Sequence, residues 1–126
     1  MDLEGGCACG AVRYRLTAPE ADHNAPKSFM LPAGSGKPHE VFFCGNCMTR
    51  IWSKYHAAPG DTLLVRAGTL DYPERMQPDV HIFTRSKLPR LQLSPDKPAF
   101  EAFYKIPEVW PAASQERLRR NIAGEN

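Results

Sequence analysis

The chain has 126 residues, an apolar share of 42% and a formal net charge of +2, which suits one globular domain with a small core that a bound metal would help to stabilise. So slight a charge, on scattered basic residues, gives no ground for a nucleic-acid partner. No stretch approaches the length of a membrane span. Twelve prolines and nine glycines predict many turns, and therefore short strands rather than long helices.

The opening residues Met1-Asp2-Leu3-Glu4 have neither a basic start nor an apolar run, so no secretory signal is expected and a reducing, cytoplasmic setting is. Cys7-Ala8-Cys9 follows, then Ala11 to Leu16, whose alternation of apolar and polar residues predicts a half-buried strand. Residues 20–37 contain Pro26, Pro32, Gly34, Ser35 and Gly36 with little periodicity, and are predicted to be an irregular loop. Glu40 to Phe43 reads as a short strand entering Cys44-Gly45-Asn46-Cys47, and Arg50 to Tyr55 as the strand leaving it. Strand, C-x-x-C turn, strand is a zinc-knuckle arrangement, in which turn N–H groups can point at the sulfurs.

Further strands are predicted at Leu63 to Gly68, Val80 to Phe83 and Leu88 to Leu93, the last confined by Pro89 to an edge or a strand start. Only residues 112–123 look helical. Ser114 is the expected cap, Leu118 and Ile122 the two apolar anchors, and Gly124 the stop. The whole, residues 1–126, reads as one domain.

The four cysteines are the only ones in the chain. Two close pairs far apart in sequence are what a tetrahedral zinc site uses: each turn aims two sulfurs inward and the fold brings the pairs together. Cys7, Cys9, Cys44 and Cys47 are therefore candidate ligands of one structural zinc. Two disulfides are the weaker alternative in a reducing setting. A redox role for Cys44 and Cys47 would leave the first pair without a task.

Four blocks of sequence resemble the family of glutathione-dependent formaldehyde-activating enzymes, which includes centromere protein V. They are Gly5 to Tyr14, Phe43 to Cys47 with Thr49 and Trp52, Ala67 to Asp71, and Pro78 to Phe83. The resemblance implies a mainly β fold of the β-tent type around one structural zinc held by the same four cysteines, with a short C-terminal helix. It also implies a carbon–sulfur lyase acting on a thiol adduct of a small aldehyde, such as that of glutathione with formaldehyde.

The chain departs from that pattern in one respect that bears on chemistry. The family's catalytic zinc is held by a C-x-C-x-x-C block that belongs between Leu16 and Lys37, and no cysteine lies there. The catalytic residues are thus unassigned, and a family member with lost or altered activity, binding a small molecule or a protein, is the alternative reading. Met48 replaces the glycine usual after the second pair, and Arg90 stands where a tryptophan is common. Asp22 and His23 lie in the loop where the block is missing and His39 near its end. A His/Asp site for a second zinc or an iron is the alternative, but without metal-ligand spacing they read as exposed loop residues. His56 reads as a surface residue. His81 suits either a pocket-lining acid or base or a half-buried histidine. Arg85, Lys87 and Arg90 suit either a carboxylate ligand or a charged edge.

Overall fold

The structure, a computed structural model, describes residues 3–16, 18–22, 25–33 and 36–125, with the backbone alone for 18–22. The chain divides into two compact units, Met1–Arg75 and Met76–Asn126.

The first unit is built from antiparallel strands in two sheets. β1 (Glu4–Gly6), β2 (Arg13–Arg15) and β3 (Ala18–Asp22) form a three-stranded sheet in that order. β1 and β2 pair as Glu4 with Arg15, Gly5 with Tyr14 and Gly6 with Arg13. Glycine at position 5 follows from a close approach. A Cβ there would collide with the Tyr14 hydroxyl and lie 2.5 Å from the Thr69 carbonyl oxygen. That approach lets Gly5 bridge to Leu70 and the Asp71 N–H donate to the Glu4 carbonyl at 3.0 Å.

β4 (Lys27–Leu31), β5 (His39–Phe43), β6 (Arg50–Tyr55) and β7 (Leu64–Val65) form the second sheet, again in chain order. Phe29 pairs with Val41 and Val41 with Ser53. Cys7, Val12, Tyr14, Cys44, Ile51 and Leu70 form one buried cluster, with Leu3, Ala11, Cys47, Trp52 and Val65 packed on it. Two of the six buried members are thus cysteines, so the sulfur centre and the apolar core are one body. Trp52 meets Tyr14 edge to face, with ring centroids 5.9 Å apart.

The mainly β architecture, antiparallel and with a short C-terminal helix, agrees with the expectation from sequence. Several elements differ. The irregular loop expected over 20–37 contains the end of β3 and all of β4. Pro26 and Pro32 bracket β4 and read as loop marks, but the strand between them pairs along its whole length with β5. Pairing at an edge demands little local patterning.

The strands expected at Val80 to Phe83 and Leu88 to Leu93 are absent among the described residues. In the second unit His81 makes an isolated bridge to Ala99. Phe83 adopts a left-handed φ of 53° and starts a 3-10 turn at Thr84–Ser86. The Leu91 N–H closes a turn onto Leu88 across Pro89, which has no N–H for a ladder. Leu63 to Gly68 is a strand only at Leu64–Val65 and then a 3-10 turn at Ala67–Thr69.

After α1 (Ile106–Val109), α2 spans Ala112–Ala123. Pro111, not Ser114, is its N-cap, and Gly124 ends it at φ 72°. Ser114 lies inside the first turn, where its hydroxyl accepts from the Arg117 guanidinium at 2.8 Å. Proline supplies the extended backbone that precedes a helix without needing an N–H there.

Candidate metal centre

The sulfurs of Cys7, Cys9, Cys44 and Cys47 all lie within 4.8 Å of one another. Each pair sits on a turn between neighbouring antiparallel strands, and the two turns share a design. The Cys7 N–H donates to the Val12 carbonyl at 3.0 Å, and the Cys44 N–H to that of Thr49 at 2.9 Å, so each turn is closed at its base. The Cys7 carbonyl accepts from the Gly10 N–H, and the Cys44 carbonyl from the Met48 N–H. Those two donors, Gly10 and Met48, both take left-handed φ values, of 77° and 63°. The left-handed residue turns the chain back into the strand after its sulfurs have been presented. Glycine takes that conformation freely and methionine does not.

Hydrogen-bond donors converge on the sulfurs. The Val12 N–H donates to Cys7 Sγ at 3.3 Å and the Asn46 N–H to Cys44 Sγ at 3.4 Å. The Asn46 side-chain amide reaches across to Cys9 Sγ at 3.3 Å. Thr49 Oγ1 accepts the Ala8 N–H at 3.2 Å and lies 3.1 Å from Cys47 Sγ, to which its own proton can be given. Sulfurs so surrounded are prepared to carry negative charge.

The donor set fits a tetrahedral thiophilic cation. A Zn–S bond of about 2.3 Å implies sulfurs about 3.8 Å apart in a regular tetrahedron. Cys7 and Cys9 are 3.5 Å apart, and Cys9 and Cys44 are 3.8 Å apart. None of the four cysteines is in a disulfide.

The titration of the group points the same way. Cys47 is lowered to about 5, chiefly by the Thr49 hydroxyl and then by the Thr49 backbone. Burial pushes Cys7 up, but the Val12 N–H and the Cys9 thiol together leave it lowered. Backbone N–H groups around Cys47 and Asn46 favour the Cys44 thiolate, yet burial and the neighbouring Cys7 and Cys47 sulfurs outweigh them and raise it. Four thiolates this close repel one another, so full ionisation requires a cation among them.

The remaining candidate residues do not join this centre. His23 lies outside the described residues, as does the side chain of Asp22 at the end of β3. His39, on β5, stacks flat on Tyr55 of β6 at 4.3 Å, so the expectation of an exposed loop residue is corrected. Its Nε2 is buried without a hydrogen-bond partner. His56 is exposed in the turn after β6, where its N–H donates to the Pro38 carbonyl at 3.2 Å. His81 is half-buried in the second unit, its Nε2 likewise without a hydrogen-bond partner.

The basic cluster is partly absorbed by local structure. Lys87 donates to the carbonyls of Leu88 and Leu91, and Arg85 lies over the Phe83 ring at 5.8 Å. Arg90 is exposed in the turn after Pro89. Among the described residues, the four cysteines are the one group of three or more His, Cys, Asp or Glu side chains placed to hold a metal. No described helix is long and apolar enough to cross a membrane.

Sequence reasoning noted Thr49 and Asn46 without assigning their side chains. Both are polar residues within two positions of a ligand cysteine, which is the signal that could have marked them as donors to sulfur.

A family model described as glutathione-dependent formaldehyde-activating enzyme matches residues 20–86. The matched span includes Cys44 and Cys47, excludes Cys7 and Cys9, and runs from the first compact unit into the second. No curated protein matches the chain.

Proposed function

Because the chain belongs to the glutathione-dependent formaldehyde-activating enzyme family, we propose that it is a zinc-stabilised domain of that family, folded around one structural ion. The ligands in this reading are Cys7, Cys9, Cys44 and Cys47. Its small-molecule partner belongs to the family's chemical class, a thiol such as glutathione or its adduct with a small aldehyde. Nucleic acid and membrane are not partners in this reading, and the cytoplasm is its setting. One observation carries it: all four cysteines of the chain converge in a single centre.

A zinc ion with four thiolates has no open position, so what it supplies is folding energy. The chain's own residues do the rest. Val12, Asn46 and Thr49 hold protons against the sulfurs, and the two turns fix the sulfurs' positions. With every cysteine so engaged, no thiolate remains to hold a second ion of the family's catalytic kind. The domain then binds the family's ligand class without accelerating its reaction.

A second reading is favoured by the family match itself, which spans the second cysteine pair and the segment that follows it. In that reading the chain is a carbon–sulfur lyase, with non-cysteine groups at its reactive centre.

Zinc per chain, measured by elemental analysis, separates the two when combined with exchange spectroscopy of formaldehyde and glutathione. One zinc, calorimetric binding of the thiol or its adduct, and no acceleration support the first reading. Two zincs with metal-dependent acceleration would replace it with the lyase. No binding of thiol or adduct would sink the proposed ligand class.

A further inference from the structure

The four cysteines are not equally exposed. Cys7 and Cys44 are buried and Cys47 is half-buried, whereas Cys9 is exposed. The side chain that covers Cys9 with a hydrogen bond is Asn46, itself exposed. Two further sulfurs stand within reach of Cys9, that of Cys7 at 3.5 Å and that of Cys44 at 3.8 Å. A cysteine on an exposed residue beside further cysteines is where soft electrophiles attack first and where a disulfide closes afterwards.

We propose that Cys9 is the modification site of the centre: peroxides and alkylating electrophiles react there before they reach the other three sulfurs, and peroxide oxidation at Cys9 dismantles the site. The inference rests on the zinc reading given above.

The chemistry balances with peroxide as the named oxidant. The Cys9 thiolate attacks one peroxide oxygen, an S–O bond forms and the O–O bond breaks. Cys9 is oxidised by two electrons to a sulfenic acid, and the departing hydroxide takes a proton to become water. The Cys7 thiolate, or that of Cys44, then attacks the Cys9 sulfur. The S–S bond forms, the S–O bond breaks, and a second hydroxide leaves as water on protonation. The sum is two thiolates, one peroxide and two protons giving one disulfide and two waters. Two of the four ligands are thereby lost, and a tetrahedral site cannot persist on the two that remain.

The geometry also assigns a positioning role to Asn46. A hydrogen bond to a thiolate lowers its nucleophilicity, so removing the Asn46 amide leaves Cys9 more reactive.

The test uses the full zinc-loaded chain and begins with its zinc content. A protein that carries no zinc overturns the zinc reading and this inference together. Substoichiometric N-ethylmaleimide followed by peptide mass mapping then ranks the four cysteines. Labelling of Cys9 ahead of each of the others by about tenfold or more is expected from its exposure. First labelling at Cys47, or equal labelling of all four, overturns this inference and leaves the zinc reading standing.

Hydrogen peroxide with a chromophoric chelator gives the second readout. Zinc release in step with a Cys7–Cys9 or Cys9–Cys44 disulfide is expected. A first disulfide between Cys44 and Cys47, or oxidation with full zinc retention, overturns the proposal. Asn46→Ala should label Cys9 faster, the rate being taken on the zinc-loaded fraction of each protein. Cys9 labelling no faster than in the parent protein removes the Asn46 role.

Discussion

The Thr49 hydroxyl lies 3.1 Å from the Cys47 sulfur while accepting the Ala8 N–H at 3.2 Å, so one side chain serves both cysteine turns. Thr49→Val keeps the shape and removes both bonds. Loss of a bond outside the ligand shell typically costs about 10–100-fold in metal affinity, and that range is expected here. Thr49→Ser should stay near the parent value. Competition against a chromophoric zinc chelator reads both, and a valine variant of unchanged affinity would refute the role.

Removing the metal should remove the fold of the first unit, because Cys7 and Cys44 are members of the buried cluster itself. A strong chelator, or Cys44→Ser, is expected to abolish the cooperative thermal transition and the dispersed spectrum of β1, β2 and β4 to β7. A chelated protein that kept a sharp transition would show that the apolar contacts suffice alone.

Met48 offers a strain test. It is exposed, so substitution loses little packing, yet its φ of 63° is unfavourable for any residue with a Cβ. Relief of roughly 1 kcal/mol by Met48→Gly is offset by a freer unfolded chain worth about 0.4–1 kcal/mol, so near-neutral stability is expected. Met48→Val, branched at Cβ, should destabilise by about 1–2 kcal/mol. Denaturant melts of zinc-loaded protein decide between the two, and equal effects of glycine and valine would contradict the left-handed turn.

Arg13 grips Asp71 through two hydrogen bonds, at 2.9 and 2.5 Å, and the guanidinium lowers the carboxyl below its ordinary value. A carboxyl depressed in the folded state adds stability above its unfolded pKa of about 3.9, and that stability fades as pH falls through the lower folded value. Asp71→Asn should therefore lower the melting temperature slightly at neutral pH, and the difference should shrink as the pH is taken below about 4. Both groups are over a third exposed or close to it, so the effect is small and weakens with salt. A difference independent of pH would mean that the charge is not its source.

Tyr14 is buried, and its hydroxyl meets Thr69 Oγ1 at 2.7 Å. Thr69 gives its own proton to the Arg66 carbonyl at 2.7 Å, which leaves Tyr14 as the donor. Tyr14→Phe should cost about 1 kcal/mol for one hydrogen bond. Gly5→Ala, whose methyl would strike the same hydroxyl and the Thr69 carbonyl, should cost about 1–3 kcal/mol as overpacking. Urea melts that rank the alanine variant as the milder would show that β1 can move away.

Legibility of the chain depended on how local each cause was. Arg50 to Tyr55 was readable with its observed bounds because a strand leaving a C-x-x-C turn shows its alternation within six residues. The pairing of the two cysteine turns was readable because tetrahedral coordination demands four ligands wherever they fall in sequence. β4 was hidden because Lys27 to Leu31 owes its extended form to a neighbour, β5, and not to its own pattern. His81 and Phe83 resembled a strand in composition. The partners that hold them, Pro98, Ala99 and Ala102, lie over fifteen residues away and pair by isolated bonds rather than a ladder. The roles of Asn46 and Thr49 were out of sight because a hydrogen bond to sulfur leaves no periodic trace.

The cysteine turns belong to different sheets, and 35 positions separate Cys9 from Cys44. During synthesis the first turn leaves the ribosome carrying half a coordination shell. Its partner emerges only after β3, β4 and β5 have been made. A nascent chain paused between the two turns carries an open pair of cysteines rather than a finished knot. In the zinc reading, the order of translation therefore makes metal capture the event that joins the two cysteine turns.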